Sequence, residues 1–178
     1  MKADKKVTGL VQVYTGNGKG KTTACFGLAL RASGHGKKVI IIQFMKGDPN
    51  YGEVKAVKNL PNIELIQSGL PTFVKKGDPS PEDLELAEKG LDIAVNAVKS
   101  GEYDLVILDE INVAVDFGLI SLKSVLEIIE NKNEKTELIL SGRYAAKELT
   151  EIADLVSEVK EIKHPFTKGI PARKGIDF

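Results

Sequence analysis

The chain has 178 residues, of which 25 are basic and 25 are acidic, so its formal net charge is zero. Without a basic tract, this balance gives no support to a nucleic-acid partner. The single cysteine, Cys25, excludes an internal disulfide and suits a reducing compartment. No apolar run approaches the ~20 residues that a membrane span needs. We therefore expect a single cytoplasmic domain over residues 1–178, without a membrane partner.

Apolar runs of strand length alternate with longer segments of helical period. The predicted strands, most of them nearly unbroken Val, Ile and Leu, are residues 10–14, 39–44, 63–67, 105–108, 138–141 and 156–162. The predicted helices are residues 21–33, 81–99, 121–131 and 146–154. This alternation predicts an α/β fold that is P-loop NTPase-like (RecA-like), with helices on both faces of a doubly wound, mostly parallel sheet of about six strands.

Four segments fall outside this alternation. Residues 45–62 and 69–81 are rich in Gly and Pro and each follows a strand, which predicts loops at the carboxyl edge of the sheet, where ligands bind. Residues 1–9 form a short N-terminal lead. Residues 164–178 have no clear period but carry several apolar side chains, so we expect a tail that packs near the active site.

A glycine-rich segment between the first predicted strand and helix has the form of a phosphate-binding loop. It comprises Thr15, Gly16, Asn17, Gly18, Lys19, Gly20, Lys21, Thr22 and Thr23. Loop N–H groups and the following helix N-terminus suit phosphate oxygens, Lys21 adds an ammonium group, and the Thr22 hydroxyl suits Mg²⁺. The loop is atypical, because Thr15 stands where the common Gly-x4-Gly-Lys-Ser/Thr pattern has its first glycine. It predicts a nucleoside triphosphate with Mg²⁺.

Three further basic residues have more than one interpretation. Lys19 either adds charge to the phosphates or faces solvent. Arg31, on the first predicted helix, is either a solvated residue or a phosphate contact. Arg143 follows a predicted strand at the expected ligand edge, so it is either a phosphate clamp or a residue without a ligand.

Two acids, Asp109 and Glu110, follow an apolar predicted strand. This position delivers a carboxylate beside the phosphate loop, as the Mg²⁺-binding acid of P-loop proteins does. We expect the two side chains to point to different sides, so that one can serve the metal and the other the substrate. In many ATPases an acid at the place of Glu110 activates water, so the residues alone favour an ATPase or phosphotransferase.

Longer stretches of the chain resemble one family. They are residues 10–47, 108–114, 118–120, 141–143, 153–156 and 163–176. Together they resemble the ATP:corrinoid adenosyltransferases of the cob(I)alamin adenosyltransferase P-loop family. The resemblance covers nearly the whole chain in order. The altered phosphate loop, combined with the segment 109–112, is more specific than a generic P-loop.

The resemblance implies a reaction and its participants. The family transfers the 5′-deoxyadenosyl group of ATP to the Co(I) centre of a corrinoid and releases triphosphate, in adenosylcobalamin biosynthesis or salvage. The corrinoid is cobalamin or cob(I)yrinic acid a,c-diamide. The resemblance further implies a triphosphate held in reversed direction along the loop. We also expect a homodimer and an external electron donor such as a flavoprotein.

The resemblance also implies roles for site residues. Lys21 and Glu110 become the catalytic residues, with Glu110 a ligand on the Mg²⁺ or ribose side rather than a base that activates water. Thr22, Asp109 and Glu110 form the metal site. ATP contacts are assigned to the phosphate loop and to three residues beyond it, which are Arg31, Asn112 and Arg143.

The corrinoid is expected over the carboxyl edge, between residues 69–77 and the tail. Phe73 is the nearest match to the aromatic residues that relatives place against the face of the cobalt's missing lower ligand, and His164 matches a position near the corrinoid. The chain has no Trp, so an aromatic partner present in some relatives is missing.

Two other functions remain open. One is a P-loop ATPase or small-molecule kinase. The other is a non-catalytic nucleotide-dependent switch that binds its nucleotide but barely turns it over.

Overall fold

The computed structural model describes residues 9–178, so almost all of the expected N-terminal lead lies outside the described residues. The strands are β1 (Val11–Thr15), β2 (Val39–Phe44), β3 (Ile63–Ser68), β4 (Leu105–Asp109), β5 (Glu137–Ser141) and β6 (Leu155–Glu158). They form one parallel sheet in the order β3-β2-β4-β5-β1-β6. The predicted six-stranded sheet is confirmed.

Helices connect the strands. They are α1 (Lys21–Gly34), α2 (Gly52–Val57), α3 (Pro81–Ser100), α4 (Ile111–Asp116), α5 (Leu122–Glu130) and α6 (Lys147–Ile152), followed by a 3₁₀ turn at Pro165–Lys168. Helices α2 and α4, of six residues each, are not among the predicted helices. Both bury side chains three residues apart, Val54 with Val57 and Ile111 with Ala114, and this spacing is the signal of one helical face.

Alternate side chains of each central strand enter two separate cores. Ile40 and Ile42 join the core beneath α3 and α5, whereas Val39 and Ile41 join the core with Cys25 of α1. All six residues of β2 are buried, as expected for a parallel strand covered on both faces. The prediction of helices on both faces of the sheet is therefore confirmed.

The last strand is shorter than predicted. The prediction ran over residues 156–162, but β6 ends at Glu158. It is an edge strand that pairs only with β1, and the ladder stops where Thr15 pairs with Glu158. Beyond that point β1 offers no partner, and Ile162 is exposed. No helix within residues 9–178 is long and apolar enough to cross a membrane.

Candidate functional site

Three non-glycine residues with left-handed backbone mark one edge of the sheet. Met45, Glu110 and Tyr144 have φ values of 58°, 63° and 61°. Met45 directly follows β2, Glu110 directly follows β4, and Tyr144 comes three residues after β5. Such conformations cost energy and cluster at functional sites. The strain therefore lies at the carboxyl edge, beside the phosphate loop.

The phosphate loop packs against the chain that leaves β6. Gly16, at φ 97°, lies so close to this chain that a Cβ atom would stand 2.4 Å from the carbonyl oxygen of Val159. The N–H of Gly18 donates to the same oxygen at 2.8 Å. Gly18 thus anchors the loop, and in this conformation its N–H is not available to a phosphate.

Thr15, the atypical residue of the loop, makes a contact that glycine could not make. Its hydroxyl accepts a hydrogen bond from the N–H of Ala145 at 3.2 Å. Ala145 lies in the connection that follows β5, two residues beyond Arg143. The threonine therefore ties the loop to the segment that carries the candidate phosphate clamp.

Lys21 is folded into the loop that it follows. The side chain is only 6% exposed, and its ammonium donates to the carbonyl oxygens of Gly16 and Gly18, both at 2.7 Å. Burial lowers the pKa of Lys21, although Glu110 and Asp109 partly oppose this. Two carbonyl oxygens of the loop thus hold the ammonium in place.

Asp109 is fully buried at the end of β4. Its carboxylate accepts hydrogen bonds from Ser141 Oγ at 2.6 Å, Gln43 Nε2 at 3.2 Å and Thr22 Oγ1 at 3.1 Å. Burial raises the pKa of this carboxyl, but the Lys46 ammonium and the hydrogen bonds outweigh it, so the pKa is lowered. Asp109 is therefore an ionised carboxylate fixed next to Thr22.

Lys46, which is not among the predicted site residues, completes this group. Its ammonium lies 2.7 Å from Asp109 Oδ2, 3.1 Å from Thr22 Oγ1 and 3.9 Å from Glu110 Oε1. Burial would lower the pKa of Lys46, but the two carboxylates raise it above its usual value. A cation thus stands between the three residues expected to bind Mg²⁺.

Glu110 does not continue the alternation of β4. Its left-handed backbone turns the chain into α4, so both acids approach the Lys46 ammonium instead of facing different sides. Burial and the neighbouring Asp109 raise the pKa of Glu110, while Lys46, Lys21 and Arg143 oppose the rise. The two carboxylates are therefore arranged around one cation position.

These oxygens suit Mg²⁺, which prefers hard ligands and is held by one or two carboxylates together with substrate phosphates. Within residues 9–178 no group of three or more His, Cys, Asp or Glu side chains could hold a metal ion alone. The donor set of Thr22, Asp109 and Glu110 fits a metal that arrives with the nucleotide.

A cavity of about 600 Å³ opens above this group. Its lining combines the phosphate loop, the connections that follow β2, β4 and β5, α2 and the tail. The lining includes Gly18, Lys19, Gly20, Lys21, Thr22, Thr23, Lys46, Tyr51, Glu110, Arg143, His164 and Phe178. The structure thus brings Arg143 and His164 to the same space as Lys21.

Seven predicted site residues lie outside this lining, namely Thr15, Gly16, Asn17, Arg31, Phe73, Asp109 and Asn112. Arg31 is exposed on α1, ten residues and roughly 15 Å from Lys21. Asn112 is fully buried and donates to the Gly142 carbonyl at 3.3 Å. Asn17 is exposed on the loop. Phe73 is fully exposed in the loop between β3 and α3. In this conformation Asn112 therefore supports the backbone next to Arg143 and does not line the cavity.

The tail crosses the phosphate loop. Lys19 forms an ion pair with Asp177 and donates to the carbonyl oxygen of Ile176 at 3.0 Å. The rings of Tyr51 and Phe178 lie 6.5 Å apart. Neither interpretation of Lys19, phosphate or solvent, included this partner, because the sequence does not show where the tail lies.

Comparison with known proteins gives a consistent result. A family model described as "ATP:corrinoid adenosyltransferase BtuR/CobO/CobP" matches residues 7–178. A "Corrinoid adenosyltransferase" of Sinorhizobium sp is 36% identical over 179 residues, covering 99% of this chain and 83% of the relative. Proteins of the same name from Pseudomonas aeruginosa and Escherichia coli K12 are 34% and 35% identical, covering 96% of this chain and 84% and 86% of the relatives.

Proposed function

We propose that this chain, which belongs to the ATP:corrinoid adenosyltransferase BtuR/CobO/CobP family, transfers the 5′-deoxyadenosyl group of ATP to the Co(I) centre of a corrinoid. The match over residues 7–178 carries the proposal, because a phosphate loop with two acids would serve a hydrolase equally well. It supports an enzyme over a non-catalytic switch. The second product is inorganic triphosphate.

The reaction requires little covalent chemistry from the protein. Co(I) of the corrinoid substrate attacks C5′ of ATP, a Co–C bond forms, and the C5′–O bond breaks with its electron pair leaving on the triphosphate. The protein must hold C5′ in line and stabilise the charge that grows on the leaving oxygen. Lys21 and Arg143, which line one cavity, suit that task.

We propose that Thr22, Asp109 and Glu110 hold Mg²⁺. When bound, the ion would neutralise charge on the triphosphate. The proposal is supported by the Lys46 ammonium, which already lies among these three residues. The same geometry favours a ligand role for Glu110 over water activation, since its carboxylate shares the cation with Asp109.

The corrinoid would lie between the loop at 69–77 and the tail. Phe73 is exposed in that loop, and His164 lines the cavity. His164 Nδ1 accepts from the N–H of Phe166 at 3.2 Å, which fixes the start of the 3₁₀ turn. We propose that the Phe73 ring makes an apolar contact with the corrinoid and that His164 contacts the edge of the corrinoid.

Other proposals rest on the sequence and on the family. They are a homodimer, an external electron donor such as a flavoprotein, and a cytoplasmic location. Of the expected ATP contacts, we keep Asn17, Lys19 to Thr23 and Arg143. Thr15, Gly16 and Gly18 are reassigned to holding the loop in place, because their contacts are with Ala145 and Val159. We leave out Arg31 for its distance from Lys21 and reassign Asn112 to supporting the chain beside Arg143.

Product analysis tests the function. The protein is incubated with ATP, Mg²⁺ and chemically reduced cob(I)alamin in the dark, and the corrinoid is followed by its visible spectrum. A light-sensitive Co–C product that requires both ATP and protein supports the proposal. ADP and phosphate formed without any corrinoid would identify an ATPase, while tight ATP binding without either product would identify a switch.

A further inference from the structure

We propose that Lys46 is a triphosphate-binding residue whose ammonium occupies the metal position before the substrate arrives and moves onto the phosphate oxygens when Mg²⁺ enters. The inference rests on the proposed function. Lys46 belongs neither to the phosphate-loop pattern nor to the acidic pair. The inference starts from the contacts of its ammonium with Asp109, Thr22 and Glu110.

The first argument is the place of the ammonium. Lys46 Nζ contacts Asp109 Oδ2 at 2.7 Å and Thr22 Oγ1 at 3.1 Å, which are atoms of the proposed Mg²⁺ ligands. A divalent ion bound to both would lie within a few ångströms of the ammonium and repel it. The two cations therefore cannot occupy these contacts together.

The second argument is that the side chain can leave while its backbone stays fixed. On one side of Lys46, Met45 has φ 58° and its N–H donates to the Ser68 carbonyl at 3.2 Å. On the other side, a Cβ atom on Gly47 would stand 2.1 Å from the Gly69 carbonyl oxygen. The backbone on either side of Lys46 is thus wedged against the chain that follows β3. Only the flexible four-carbon side chain is free to turn.

The third argument is where the ammonium would go. Lys46 lines the same cavity as Lys21 and Arg143 and is 18% exposed. The anionic group expected in that cavity is the triphosphate, and its oxygens offer a displaced ammonium a charge-assisted hydrogen bond. Lys46 would then add a third cationic side chain to the leaving group. Mg²⁺ would then balance the negative charge of Asp109 in place of the ammonium.

Two binding measurements test the exchange. Mn²⁺ binding without nucleotide is followed by electron paramagnetic resonance, and MgATP binding without corrinoid is followed by calorimetry. In Lys46→Met we expect Mn²⁺ to bind about tenfold more tightly, because no resident cation competes, and MgATP to bind about tenfold more weakly, because a phosphate contact is lost. Lys46→Arg should keep MgATP binding near the wild-type level.

Lys55→Met, at an exposed position of α2, is the matched control and should leave both affinities unchanged. If Lys46→Met does not fold, Lys46→Gln takes its place, since its amide can still donate to Asp109. Opposite shifts of the two affinities support the inference. Shifts in the same direction, as for a merely structural lysine, or no shift at all, would overturn it.

The function itself is tested separately with the wild-type protein and cob(I)alamin. If the wild type adenosylates the corrinoid but the two affinities shift together, only the Lys46 inference fails. If the affinities shift in opposite directions but the wild type forms no Co–C product, the inference stands as a property of the nucleotide site and the proposed reaction fails.

Discussion

The proposed nucleotide side of the site is largely built from contacts within the chain, whereas the proposed corrinoid side is largely exposed. On the nucleotide side, Asp109 and Lys21 are almost inaccessible and each has several hydrogen-bond partners. On the corrinoid side, Phe73 is fully exposed and Phe166 is mostly exposed. Charges that must stabilise a leaving group work best when they are fixed in advance. On the corrinoid side, a large apolar substrate can itself bury the exposed apolar side chains when it binds.

The largest effect is expected at Lys21, on the nucleotide side. Lys21→Ala removes an ammonium that the loop holds ready for the triphosphate, so kcat/KM for ATP should fall on the order of 10²- to 10³-fold. The rate of Co–C bond formation measures this. Urea unfolding is the control and should change little, because the ammonium bonds only to its own loop. Near-normal turnover would contradict the assignment of the phosphate loop.

Cys25 reports how closed the nucleotide side is. The thiol is fully buried on α1 behind the loop, and burial raises its pKa to about 12. Because only the thiolate reacts, alkylation by iodoacetamide at pH 8 should be about a thousandfold slower in the folded protein than in urea. Mass spectrometry measures this without ambiguity, since the chain has one cysteine. Equal rates in both states would show that this side opens readily.

Paired stability measurements compare the two sides directly. Asp109→Asn leaves the mostly buried Lys46 ammonium with a weakened partner, so the free energy of unfolding should fall by about 3 kcal/mol. Asp78→Asn is the matched control on the corrinoid side, where Asp78 pairs with Lys75 and both are exposed. It should leave stability unchanged, because exposed ion pairs contribute little. Equal losses in urea titrations would remove the contrast between the two sides.

The smallest effect is expected at Phe73. Phe73→Ala should leave stability and the KM for ATP unchanged, since the ring contacts solvent in the free protein. The KM for the corrinoid should rise by about tenfold, because burial of a Phe side chain against the substrate would be lost. Steady-state kinetics with each substrate varied in turn measure this. An unchanged corrinoid KM would place the substrate elsewhere.

The prediction from sequence succeeded where the signal was local. The strand β4 and the helix predicted to begin at residue 81 depend on neighbours along the chain. Lys46 could not be found in this way. Its contact with Asp109 depends on β2 lying next to β4, with Gln43 paired to Asp109. No single segment of the sequence shows the order of the strands in the sheet.

The same reason explains the remaining differences. Asp177 meets Lys19 across 158 positions of sequence, and β6 ends at Glu158 only because β1 ends at Thr15. Thr15 departs from the common loop pattern in the sequence, but its bond to the N–H of Ala145 depends on where β5 ends. These features depend on contacts between residues far apart in the sequence, which local patterns do not predict.

The fate of the triphosphate tests the central claim most directly. The protein is incubated with ATP, Mg²⁺ and cob(I)alamin in H₂¹⁸O, and the phosphorus products are identified by ³¹P NMR and mass spectrometry. If C5′ is the reacting atom, the product is intact inorganic triphosphate that carries no oxygen from water and forms in step with the Co–C product. ADP with ¹⁸O-labelled phosphate would show reaction at the γ-phosphate and would contradict the account.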